Sequence, residues 1–196
     1  MGYLIGDDMA LLHPPKTAGL WARAACAAVG LPWVRFGPAE GVDDQHSDAA
    51  PPDNRLTMMF VRNPATWLRS LWMYHERTGW KQYSDAPGFI FYANHRDGER
   101  FQVFVDRYLD KMPGAIGRMF ERYERHAALV GKVENIQSDL RRFIDLKHPE
   151  IDTSVILAVT RANTAPPQQR LVSNYAQGQR EAVCNAEREF MWRWGY

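Results

Sequence analysis

The chain has 196 residues, 45% apolar and 24% charged, with 24 lysines and arginines against 23 acids. That length and composition allow a real core and exclude a disordered or fibrous chain. A formal net charge of +1 gives no global attraction to nucleic acid or to an anionic membrane, so an anion would have to be held by local arrangement.

The start, MGYLIGDDMALLH, has two early acids and no basic region, so we expect no signal peptide; Gly2 lacks the hydroxyl residue at position 6 that myristoylation needs. No apolar run reaches membrane-spanning length, and we expect a soluble, cytoplasmic protein with one domain over 1–196. Residues 9–13 read as a short buried strand, 14–19 as a loop, and 20–29 as an alanine-rich helix closed by Gly30. Residues 35–55, rich in proline, glycine and acids, read as a loop. Leu56–Val61 is a second buried-strand candidate. Asn63-Pro64 then opens a helix, with asparagine as cap and proline at the first helical position. Trp67, Leu68, Leu71, Trp72 and His75 give that helix one apolar face. Residues 78–98 look irregular and aromatic-rich; 100–111 is amphipathic, with Phe101, Phe104, Val105 and Leu109 on one stripe. A third strand is expected at 129–133, a helix at 136–146 and a further strand, or helix, at 155–160; 161–175 reads as loop and 177–194 as a closing helix. Strands alternating with helices predict an α/β fold with a mainly parallel sheet. Cys26 and Cys184 fall in helices and read as small buried residues, with no metal-binding or disulfide pattern.

Two stretches carry chemistry. In LLHPPKTAGLW, Lys16 and Thr17 sit in a strand-to-helix loop, where unpaired N–H groups and the helix dipole favour an anion. The loop lacks the first glycine of G-x-x-x-x-G-K-[ST], which argues against an ATP-dependent P-loop kinase. In FVRNPATWLRSLW, Arg62 follows the second strand directly, at the same sheet edge as Lys16 if the strands are parallel, and Ser70 lies on the following helix. A planar guanidinium and a hydroxyl suit a second phosphate.

With these motifs in this order the chain resembles the sulfotransferases that use 3′-phosphoadenosine-5′-phosphosulfate (PAPS). Their 5′-phosphosulfate loop is similar to HPPKTAGLW and their 3′-phosphate motif to VRNPATWLRS, with weaker likeness at ERFQVFV, GKVENIQSDL and EFMWRWGY. The resemblance implies a three-layer α/β/α, P-loop nucleotide-hydrolase-like domain. It also implies transfer of a sulfuryl group from PAPS to a hydroxyl or amine of a small molecule, carbohydrate or lipid, without a metal. Lys16 would contact the 5′-phosphate and stabilise the leaving group. Thr17, Ala18, Gly19 and Leu20 would offer backbone N–H groups, and Arg62 and Ser70 would hold the 3′-phosphate. Trp21 matches a position that stacks on adenine in several relatives, although a core position in the first helix fits it slightly better. Many relatives carry Thr or Ser where this chain has Leu20, so one side-chain donor is missing.

Histidine is the natural base near neutral pH. Of the six, His13 is expected to pack or hydrogen-bond locally, His75 to be a core or boundary residue, and His95, His126 and His148 to lie at the surface. His46, before the second strand as in relatives, is the expected base, with Glu40, Asp43 and Asp44 as competing carboxylates. A catalytically silent nucleotide- or protein-binding module is the alternative reading.

Overall fold

The computed structural model describes residues 2–36, 50–52, 54–78, 99–160 and 167–196. In chain order the elements are β1 (Gly2–Ile5), β2 (Met9–Leu12), α1 (Gly19–Ala28), β3 (Trp33–Phe36), β4 (Leu56–Val61), α2 (Pro64–Thr78), α3 (Phe101–Lys111), α4 (Ala115–Glu124), β5 (Leu129–Lys132), α5 (Ile136–Asp145), α6 (Pro167–Val172), α7 (Gln179–Ala186) and α8 (Arg188–Arg193). Short 3-10 turns occupy Val133–Asn135 and Thr153–Ala158. The chain divides into two compact units, Met1–Arg62 with Phe120–Asn163, and Asn63–Met119 with Thr164–Tyr196.

The first unit holds a five-stranded sheet in the order β3-β1-β2-β4-β5. β2 pairs parallel with β4, and β4 with β5, whereas β1 runs antiparallel to both β2 and β3. The fold is α/β, but the sheet is mixed rather than mainly parallel. The cause is the stretch GYLIGDDMALL. Gly6 at φ +56° turns the chain within three residues, and so tight a connection can only join antiparallel neighbours.

The expected helix after the lysine loop forms as α1 and ends as anticipated at Gly30, φ +77°. Gly30 N donates to Ala27 O and Leu31 N to Cys26 O, the paired bonds of a Schellman ending. The strand candidate at 155–160 is instead part of a 3-10 turn. Asp152 accepts the Ser154 N–H at 2.9 Å and starts the turn, which buries Ile156 and leaves Val155 and Leu157 exposed. One core joins alternate sheet residues (Tyr3, Ile5, Met9, Leu11, Met58 and Phe60) to Trp21, Ala22, Ala25 and Cys26 of α1, to Ile136, Leu140, Phe143 and Ile144 of α5, and to Ile156. The intervening Ala10, Leu12, Met59 and Val61 are buried as well, which is why these strands read as continuous apolar runs.

The second unit is helical. Asn63 Oδ1 accepts the N–H groups of Ala65 and Thr66 at 3.1 and 3.3 Å, so α2 starts at the cap the sequence predicts. All five residues of its expected apolar face are buried. On α3 the buried stripe is Phe101, Phe104, Val105 and Tyr108, with Tyr108 where Leu109 was expected. Segment 161–175, expected as loop, contains α6, and the single closing helix is two, α7 and α8, broken at Glu187. Glu187 is buried, and its carboxylate accepts from the Tyr108 hydroxyl and from the N–H groups of Ile116 and Gly117 (3.1 and 2.7 Å), anchoring the first turn of α4.

Candidate anion-binding site

β2 and β4 are in register at Met9↔Leu56, Ala10↔Thr57 and Leu11↔Met58. Parallel pairing therefore delivers the loop after Leu12 and the residue after Val61 to the same edge of the sheet. Lys16 and Arg62 do meet there: Arg62 Nη1 donates to the Lys16 carbonyl at 3.2 Å. The loop is tightly wound. Lys16 (φ +62°) and Ala18 (φ +61°) both lie in the left-handed region, which costs an L-residue about 1–2 kcal/mol. It is braced by the bond from Arg62 and by one from Thr17 Oγ1 to Pro14 O at 2.7 Å.

Ala18 caps α1 with no side-chain hydrogen bond. The first intrahelical bond runs from Ala22 N to Ala18 O, so the N–H groups of Gly19, Leu20 and Trp21 precede the ladder. The Arg62 guanidinium and the Lys16 backbone thus meet beside the first-turn N–H groups of α1, groups whose chemistry suits an anion. Thr17 contributes less than expected: its hydroxyl proton is committed to Pro14 and its side chain is buried. Leu20 is 43% exposed and brings only its backbone.

Trp21 is in the core. It is 2% exposed, and its indole N–H donates to Val159 O at 3.0 Å. Ser70 is half-buried on α2, in the second unit. His46, Glu40, Asp43 and Asp44, the base candidates, lie outside the described residues, as do His95 and the aromatic stretch 79–98. The other histidines sit as expected or nearly so. His75 is buried, and Tyr3 Oη and His13 Nδ1 are 3.2 Å apart. His126 accepts from Arg125, while His148 is half-buried between Asp8 (3.2 Å) and Glu150 (3.3 Å). Burial pushes the Cys26 thiol up to about 12 and also raises Cys184, so neither is poised as a nucleophile. Sequence reasoning missed β1, with it Tyr3, and β3, whose Arg35 and Phe36 lie in the stretch expected as loop and pair with β1. The signal for β1 was a pair of apolar runs flanking Gly-Asp-Asp, the mark of a hairpin. Searches of protein-family models, curated proteins and solved structures found no match to this chain.

Proposed function

We propose that this chain is a PAPS-dependent sulfotransferase, cytoplasmic, with a three-layer P-loop-like fold, acting on a hydroxyl or amine of a small molecule, carbohydrate or lipid. The observation that carries the reading is the meeting of Lys16 and Arg62 at one sheet edge through the parallel β2–β4 pairing. PAPS, when bound, supplies an activated sulfuryl group and a phosphate leaving group. Lys16 and the N–H groups of residues 17–20 would hold the 5′-phosphate and neutralise the charge it gains as the sulfuryl group departs. Arg62 would bind the 3′-phosphate with one edge of its guanidinium while the other keeps the Lys16 carbonyl; Ser70 joins it on the sequence resemblance alone. His46 is proposed as the base that takes the acceptor proton. Trp21, as a core residue, is left out of the donor contacts.

The exposed Leu20 and the inward-facing Thr17 hydroxyl favour a second reading, a silent relative that binds the nucleotide without turnover. Calorimetric titration with 3′,5′-adenosine bisphosphate, 5′-AMP and ATP tests both readings. A preference for the bisphosphate supports them, and equal or tighter binding of ATP would sink them. Sulfuryl transfer to an acceptor panel then separates active from silent. If His46→Ala turns over normally, the base is another residue.

A further inference from the structure

His13 lies between β2 and the two prolines of the loop, and its ring is fixed from both sides. From β1, Tyr3 Oη is 3.2 Å from Nδ1, with ring centroids 5.5 Å apart and planes tilted by 39°. From α1, a Cβ built on Gly19 would lie 2.2 Å from both Cδ2 and Nε2 of the imidazole and 2.7 Å from Cε1. With the imidazole in this place a Cβ at residue 19 has no room, so glycine is there for space; its φ is not in the left-handed region. Tyr3 is itself held. It packs edge-on against Trp33 at 5.6 Å, and the guanidinium carbon of Arg23 lies 5.0 Å from the Tyr3 centroid and 4.6 Å from that of Trp33. Gly19 and Arg23 are one helical turn apart and share a face of α1. One cluster thus grips α1 at successive turns and clamps both ends of the loop that carries Lys16. Two left-handed, non-glycine residues persist only where the surroundings over-determine them.

We propose that His13 is a positioning residue, a wedge set by Tyr3 and admitted by the bare Cα of Gly19, which holds the Lys16 loop in its anion-binding form. The functional readout of this proposal rests on the donor reading above.

The test is a double-mutant cycle read as the dissociation constant for 3′,5′-adenosine bisphosphate, with the thermal midpoint measured alongside. Gly19→Ala should weaken binding at least fiftyfold because the new methyl evicts the imidazole. His13→Ala should weaken it about tenfold, and Tyr3→Phe three- to fivefold. The double variant His13→Ala/Gly19→Ala should return to the His13→Ala value, since the methyl then has room. A purely structural role would lower the midpoints and leave these affinities unchanged. Wild-type affinity in Gly19→Ala, or a double variant no better than Gly19→Ala, would overturn the wedge. If the wild-type chain binds no bisphosphate, the donor reading falls alone. The wedge is then read from the His13 imidazole NMR signals, which must shift in Tyr3→Phe and Gly19→Ala; unchanged signals in both refute it.

Discussion

Replacing Glu187 with alanine should be among the most damaging single changes in the second unit. The carboxylate accepts from the Tyr108 hydroxyl, Ile116 N and Gly117 N in a buried site. Alanine strands all three donors. At about 1–3 kcal/mol for each buried group left unsatisfied, the ceiling is roughly 3–9 kcal/mol. Water entering the vacated space should bring the loss to about 3–5 kcal/mol. Glu187→Gln keeps one acceptor oxygen and turns an NH2 toward a donor, so about 1–2 kcal/mol is expected. Urea unfolding read by circular dichroism measures both. A loss below about 1 kcal/mol in the alanine variant would refute the view that this carboxylate secures the start of α4. The pH dependence has a definite sign. Burial raises the Glu187 pKa, outweighing the lowering effect of the hydrogen bonds from Tyr108, Gly117 and Ile116 and of Arg118. The folded state therefore holds a proton that the unfolded chain releases near its ordinary value of about 4.3. The contribution of Glu187 is complete below that value and is lost as pH rises through the folded-state pKa. Wild-type stability relative to Glu187→Gln should fall from pH 4 toward neutrality, and a rise over that range would contradict the assignment.

Lys16→Ala should weaken 3′,5′-adenosine bisphosphate binding by one to two orders of magnitude, about 1.4–2.8 kcal/mol; calorimetry showing unchanged affinity would remove the lysine from the site. Asn63→Ala should cost about 1 kcal/mol in urea unfolding, through the lost cap on α2, while Asn63→Asp retains most of the stability. Native protein treated with a thiol reagent at pH 8 should react at Cys184 and leave Cys26 untouched until it unfolds, because Cys26 is fully buried and Cys184 half-buried. Equal native rates at the two cysteines would show that α1 does not pack as described.

Features under local chemical control could be read from the residues directly. The buried strands β2 and β4 were legible as apolar runs bounded by turns, the half-buried β5 as a shorter one, and α2 from Asn63-Pro64 and its apolar face. The ending of α1 was written in Gly30, because a left-handed residue there needs no neighbour's help. The loop around Lys16 and the arginine after β4 were likewise visible as motifs.

Whatever depends on neighbours distant in the chain emerged only in the folded molecule. An apolar pair such as Val155–Ile156 suits strand or 3-10 turn equally, and the Asp152 cap with room for one buried side chain settled it. Trp21 could face a ligand or the core until Val159 took its N–H. Whether Lys16 and Arg62 meet rests on the parallel register of β2 with β4, a hydrogen-bonding choice made between segments and written in neither. The same holds for Tyr3, His13 and Gly19, whose fit exists only because a hairpin turns β1 back alongside β2.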